Sequence, residues 1–267
     1  MSSRRMKARR PTKCRVPLLS LCLVCTVATW AAPSQRGVEI MQEVEKRGLA
    51  DSQSYDGAIE VVEPSGKLMK RSWQLWREGN DGASKLLLRF DTPPDMRGVG
   101  VLILNGPNAP GEQWLYTPSI QRERHLAVQD RSRRFMGTDL SHEDIEERPV
   151  EDYDYDFIGE NSFASQPVYK IKAVCKNRNR TQYSQRILYV RKDILAITFI
   201  EFYIDGKLRK TLLRDDWQQI QGIWTPLLLE MKDVTRGSMT RIRESNVKYN
   251  VKFAPEWFTV SNLRKVP

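Results

Sequence analysis

Beyond residue 50 the chain is a succession of thirteen short segments rich in β-branched and aromatic residues, and several of them are oily on both sides. They fall at 55–62, 67–78, 84–91, 98–105, 112–118, 121–128, 152–159, 166–175, 183–191, 195–204, 207–217, 223–232 and 238–253, with Gly, Pro, Asn and Asp between them. A strand with one wet face alternates apolar and polar residues, and Trp73 and Leu75 flanking Gln74 do so. Leu86-Leu87-Leu88, Gly98 to Leu104, Ile194 to Ile200 and Leu227-Leu228-Leu229 do not. Such a sheet must be covered twice or must bend around an apolar interior. Helical cover is scarce. Val38, Met41, Val44 and Leu49 recur at near-helical spacing and predict an amphipathic helix over 37–50. A second short helix is expected over 139–147, with Asp139 or Ser141 as its cap. The expected fold is therefore mainly β (α+β): a strongly curved antiparallel sheet wrapped partly around helices, with interior space that the chain does not completely fill.

Turn chemistry supports antiparallel pairing. Glu63-Pro64-Ser65-Gly66 places Pro and Gly where a tight turn wants them. Asp205-Gly206 between two alternating runs is a two-residue hairpin signal. Strands do not alternate with helices, which argues against a parallel sheet. Gly98-Val99-Gly100 opens no helix and reads as small residues at a packed or bent strand.

The formal net charge of +10 is concentrated at one end. Arg4, Arg5, Lys7, Arg9, Arg10, Lys13 and Arg15 supply seven positive charges, and without them 36 basic residues face 33 acidic ones, or +3. That balance supplies no field for neutralising phosphates, so no nucleic-acid partner is expected. The basic stretch is followed by an uncharged run from Val16, and Thr29-Trp30-Ala31 sets small residues at −3 and −1 of a cleavage site. This is the pattern of a secretory signal peptide over 1–31, leaving 32–267 as one mature domain. The alternative is an uncleaved anchor, since Val16 to Gln35 is about 20 residues long. Pro17 and Pro33 flank the run and favour cleavage. Leu21 and Val24 precede Cys22 and Cys25, where a lipidation signal wants a small residue. Cys175 is the one cysteine beyond the signal, so no disulfide forms within the mature chain.

No arrangement of residues points to catalysis. There is no nucleophile elbow, zinc spacing or phosphate-cradling loop, so no catalytic residue, metal or cofactor is expected. Asp139, His142, Glu143 and Asp144 read better as a helix start than as a cation site, and Asp152, Asp154 and Asp156 as the wet face of a strand. Arg122, Arg124, Arg131, Arg133 and Arg134 beside Trp114, Tyr116 and Phe135 form the most distinctive polar feature, suited to a solvated loop or to anionic headgroups.

Arg134 to Asp144, reading RFMGTDLSHED, resembles the F-x-G-T-D-F-S-Y-E-D segment of the outer-membrane lipoprotein-sorting (LolA/LolB-like) proteins. Phe90-Asp91-Thr92-Pro93-Pro94, Arg97-Gly98, Leu102, Trp114-Leu115-Tyr116-Thr117-Pro118 and Arg122 to Arg124 precede it in the family's order. Tyr155 to Gly159, Tyr169-Lys170-Ile171, Tyr203 to Leu208, Gly222 to Pro226, Met231-Lys232-Asp233 and Phe258 to Leu263 follow it, so the resemblance spans 37–265. Leu140 and His142 depart from the pattern, which has aromatics there. The resemblance implies an unclosed β-barrel with helices lidding an apolar cavity. It also implies a periplasmic carrier for lipid or lipoprotein acyl chains, with an inner-membrane transporter and an outer-membrane acceptor as partners. The alternative function is an accessory subunit of a membrane export system. Trp73, Leu75, Leu86, Leu88, Phe90, Val101, Ile103, Trp114, Tyr116, Phe199 and Phe202 are the expected cavity lining, subject to strand register, since a slip of one residue exchanges the faces.

Overall fold

The computed structural model describes residues 34–47, 50–80, 83–106 and 109–265. The expected targeting segment 1–31 and Leu49 lie outside the described residues. Helix α1 (Gln35–Arg47) leads into thirteen strands: β1 (Ser52–Val62), β2 (Leu68–Glu78), β3 (Lys85–Thr92), β4 (Gly100–Gly106), β5 (Ala109–Thr117), β6 (Arg122–His125), β7 (Tyr153–Phe163), β8 (Gln166–Cys175), β9 (Gln185–Arg191), β10 (Ala196–Ile204), β11 (Lys207–Ile220), β12 (Ile223–Asp233) and β13 (Ser238–Tyr249). A one-turn helix α2 (Val260–Leu263) follows. The strands form one antiparallel sheet in the order β6-β5-β4-β3-β2-β1-β13-β12-β11-β10-β9-β8-β7, unclosed between β6 and β7.

Most of these links are hairpins, and their turns have the left-handed backbone that a twisted two-stranded ribbon needs. Asp205 and Gly206 have φ of 49° and 74°, and the Gly66 amide donates to Glu63 O at 2.8 Å. The β7–β8 turn uses Ala164 and Ser165 at φ 48° and 64°, without any glycine.

The curvature is visible in segment 131–149, which lies inside the sheet and consists of turns and one isolated bridge, Arg134 to Ser141. It bonds Gly111 of β5, Arg71 of β2, Thr240 of β13, Lys210 of β11, Arg186 of β9 and Cys175 of β8. β5 and β8 are ten places apart in the sheet; laid flat they would be separated by about 48 Å. One short segment reaches both because the sheet curls around it. The helix expected over 139–147 is absent. Its acids are drawn to partners on the sheet, and tertiary bonding overrides the capping signal.

The inward core joins Trp73, Leu88, Phe90, Val101 and Ile103 from one wing to Tyr155, Ile171, Leu188 and Val190 from the other, with Ile40 and Met41 of α1 and Phe135 between them. Gly57 makes room for this core: a Cβ there would stand 1.8 Å from Trp73 Nε1. The oiliness of both faces of β3 to β5 has a different cause from an unfilled interior alone. Leu87, Leu102 and Tyr116 point outward and are covered by the C-terminal residues Trp257, Phe258 and Leu263. Gly100 lies beneath Leu263, where a Cβ would come within 2.7 Å of its Cδ1. Around β7 to β10 the outer face carries its own aromatic cluster, with Phe163 stacked on Phe199 at 4.7 Å and Tyr189 edge-on to Phe199 at 5.4 Å.

Candidate functional site

Two clefts enter the concave side beside α1. The first, about 490 Å³, lies between α1, β2, residues 146–150 and strands β7 to β11. Its apolar wall is Met41, Val44, Leu188, Ile197 and Ile200, and Arg77, Arg148, Arg186 and Arg214 also face it. The second, about 390 Å³, continues past Val44, Gln53, Ile197 and Arg214, which line both, to Ile194, Trp217, Ile223, Trp224 and Leu229. Both volumes fall within the range of small-molecule sites.

Buried ion pairs fix the floor of the first cleft. The Glu143 carboxylate accepts from Thr181 Oγ1, from the Gln182 amide at 3.0 Å and from Arg186 Nη2 at 3.1 Å. Arg148 Nη2 stands 3.7 Å from Glu143, 3.3 Å from Glu146 and 2.6 Å from the Arg180 carbonyl. Arg131 pairs with Glu146 at 2.6 Å, the two side chains being 6% and 2% exposed. Lys210 pairs with Asp144 at 3.1 Å, and Tyr183 donates to the same carboxylate at 2.8 Å. Low-dielectric burial makes each bond strong and each missing partner costly.

The acid cluster noted in the sequence is therefore dispersed. Asp139 accepts from Ser238 and Thr240, Glu143 faces arginines, and Asp144 faces Lys210. Gln113 donates through Nε2 to the His142 carbonyl and to Glu146, so its Oε1 accepts from His142 Nδ1 at 3.1 Å. Among the described residues no group of three or more His, Cys, Asp or Glu is placed to hold a metal ion. Asp152, Asp154 and Asp156 pair with Arg180, Lys176 and Lys172. The arginine stretch is split as well: Arg122, Arg124 and Arg133 are exposed, whereas Arg131 is interior and Arg134 bonds the Gly137 and Thr138 carbonyls. Gly137, at φ 75°, lets that turn close under Arg134.

Of the eleven residues expected to line a cavity, Trp73, Leu75, Leu88, Phe90, Val101, Ile103 and Phe202 sit in the inward core, and Leu86 packs against it. Trp114 and Tyr116 belong to the outer cluster under the C-terminal residues, because Gln113 and Leu115 take the inward positions of β5. Phe199 lies in the outer aromatic cluster. Phe199 and Phe202 are three residues apart on one strand, a spacing that puts them on opposite faces. The two clefts are walled by other residues. Arg77, Arg186, Arg214 and Glu244 carry a signal in the sequence, because each continues an inward row, following Trp73-Leu75, preceding Leu188-Val190, following Lys210-Leu212 and following Thr240-Ile242.

Glu244 of β13 is half-buried, with Tyr55, Arg77, Arg214 and Tyr249 around it. Burial pushes its carboxyl up to about 7, against Arg214 and the Tyr55 hydroxyl, which hold it down. Free glutamate titrates at 4.5, so the native state keeps the extra proton between pH 4.5 and about 7, and stability falls as pH rises through that window. Glu244→Gln is expected to gain up to about 3 kcal/mol at pH 8 and nothing at pH 4.5, measured by urea unfolding at both values. An equal gain at the two pH values would refute the assignment. His142 runs the other way. Burial first, then Arg124 and Arg131, lowers it to about 4, so its contribution is lost as pH falls from 6.5 towards 4.

Comparison with known proteins places this geometry. A family model described as an uncharacterized protein family matches residues 82–265, more than half of the chain. No curated protein matches. A DUF1329 family protein from Desulfovibrio piger is 28% identical, with a TM-score of 0.82, over 87% of this chain and 100% of that one. A domain assigned to outer-membrane lipoprotein sorting from Vibrio parahaemolyticus is 23% identical, with a TM-score of 0.82, over 86% and 99%. A LolA superfamily protein from Nitrosomonas europaea is 22% identical, with a TM-score of 0.68, over 87% and 100%. The chain belongs to the family whose model spans 82–265, and it is built on the unclosed curved sheet of the lipoprotein-sorting and LolA-superfamily structures.

Proposed function

We propose that the protein is an exported, non-enzymatic carrier that shields acyl chains of lipids or lipoproteins on their way to the outer membrane. Residues 1–31 direct export and are cleaved after Ala31, and 32–267 form the periplasmic binding domain. The observation that carries the proposal is the pair of joined clefts inside an unclosed sheet, walled by Met41, Val44, Ile197, Ile200 and Leu229 beneath α1. Each buried methylene is worth about 0.8 kcal/mol, so a long chain leaves a membrane at a useful rate only if a protein takes over its burial. Trp73, Leu75, Leu86, Leu88, Phe90, Val101, Ile103 and Phe202 belong to the inward core that backs the sheet's concave side, and Trp114, Tyr116 and Phe199 serve the outer face. The description of the Vibrio structure, a lipoprotein-sorting domain, supports the same role. Delivery in that role has an inner-membrane donor and an outer-membrane acceptor.

The test is recovery of acyl lipid from protein purified without detergent, by extraction and mass spectrometry, together with acyl-probe binding. Ile197→Trp, at the neck between the clefts, is expected to displace about two methylenes of a bound chain and weaken binding about tenfold while leaving the thermal midpoint in place. A protein that carries no lipid and binds no acyl probe would instead be an interaction subunit of an export system.

A further inference from the structure

The geometry points to Arg214 as a headgroup anchor: the cleft takes an acyl chain ending in an anion, carboxylate or phosphate, whose charged end the guanidinium holds. This inference rests on the carrier proposal and specifies its cargo.

Four arginines face the first cleft, and three of them are already committed. Arg77 pairs with Glu147 at 3.4 Å and donates to Asn80 and to the Ala50 carbonyl. Arg148 is held by Glu143, Glu146 and the Arg180 carbonyl. Arg186 donates to Glu143 at 3.1 Å and lies over the rings of Tyr153, Tyr183 and Phe202 at 5.2–5.4 Å. Arg214 differs from all of these. Among the described residues its guanidinium makes no hydrogen bond and no ion pair within 4 Å, although it is half-buried. Its backbone is well held, because the Arg214 carbonyl accepts from Thr198 Oγ1 at 2.9 Å and Trp217 Nε1 at 3.0 Å.

A guanidinium carries five N–H donors in a planar fork. Those of Arg214 are left unbonded by the protein at the junction of the clefts, and a carboxylate or phosphate satisfies two at once. Burial weakens the charge of Arg214 and Glu244 supports it, yet Glu244 does not make contact. The other acids at the clefts are partly or wholly occupied: Glu147 takes Arg77, and Glu45 accepts from the Val150 amide at 3.2 Å. Arg214 also stands where the two clefts join. A ligand anchored there by its charged end can lay its chain along Ile194, Ile197, Trp217, Trp224 and Leu229. The second cleft thus sets Arg214, with Arg47 and Glu244 also on its wall, beside an apolar trough, which describes a single-headed anionic amphiphile better than a neutral lipid.

The experiment titrates the full mature chain with dodecanoate, its methyl ester and dodecyl phosphate, following tryptophan fluorescence or heat. The two anions are expected to bind at least about tenfold tighter than the ester. Arg214→Gln should reduce them to the level of the ester without changing ester binding, and Arg214→Lys should keep part of the preference. Preference for the phosphate over dodecanoate would identify a phospholipid-type head, and the reverse a free fatty acid. Equal binding of acid and ester, or a uniform loss of all three ligands in Arg214→Gln, overturns the anchor and leaves the carrier proposal standing. Failure of all three to bind the wild-type protein overturns both. If Arg214→Gln fails to fold, the wild-type preference and Arg214→Lys decide the question.

Discussion

Glu143→Ala is expected to lower the unfolding free energy by about 3–5 kcal/mol, seen as a drop in the urea midpoint at unchanged slope and a thermal shift of roughly 10 °C. The carboxylate is 2% exposed and receives Thr181, the Gln182 amide and Arg186, with Arg148 in ion-pair range. Removing it does more than delete four attractions. Arg148, 5% exposed, and Arg186 would keep their charges in a low-dielectric interior with one acid fewer to balance them. Glu143→Gln retains acceptor capacity for Thr181 and the amide, so its cost should be smaller. A loss below about 1 kcal/mol for the alanine variant would mean that water enters the site and solvates both arginines, as at an exposed pair.

Phe135→Ala should cost about 3–5 kcal/mol by the same measurement. The ring is fully buried and touches three others: Trp73 at 6.2 Å between centroids, Phe90 at 6.3 Å and the His142 ring at 5.4 Å. Trp73 and Phe90 belong to strands already held by their ladders, so they cannot collapse into the space left, and the cavity term is added to the lost transfer term. Phe135 lines neither cleft, so affinity for an acyl probe should be nearly unchanged at temperatures where the variant is folded. A parallel loss of stability and affinity would show that the clefts depend on packing at a distance.

The thirteen strands were legible in order and near their ends because period-two patterning and Gly, Pro, Asn and Asp turns act locally. Strand parity was legible only where one face is polar. In β2, Gln74 separates Trp73 from Leu75 and marks the inward side, with Trp76 the exception, whereas in β5 Leu115 lies between Trp114 and Tyr116 and both parities look apolar. Only the distant C-terminal residues, covering the outer face, decide between them. The helix expected over 139–147 failed for a related reason: acids suited to a helix start are equally suited to a buried pair, and the partners Lys210, Thr240 and Arg186 come from strands far along the chain. Apolar rows do not mark the clefts, because the residues that distinguish them are charges. Arg77 ends an otherwise apolar inward row and Arg214 follows Leu212 in a row that already carries Lys210, and such an interruption is where a sheet stops being core and begins to be a site.

Segment 131–149 has a mechanical consequence. Because its buried ion pairs run like spokes to β9 and β11, with hydrogen bonds to β2, β5 and β13, spreading the two wings of the sheet would pull several charge pairs apart together. α1 is tethered at both ends: Ser34 Oγ accepts from the Gly37 and Phe157 amides and Arg36 rests on the Phe157 ring at 4.3 Å, while near its other end Glu45 accepts from the Val150 amide at 3.2 Å. Lifting α1 off the first cleft would therefore have to break an attachment at Phe157 or at Val150 and uncover Ile40 and Met41, so the rim of the cleft resists opening at both ends of the helix.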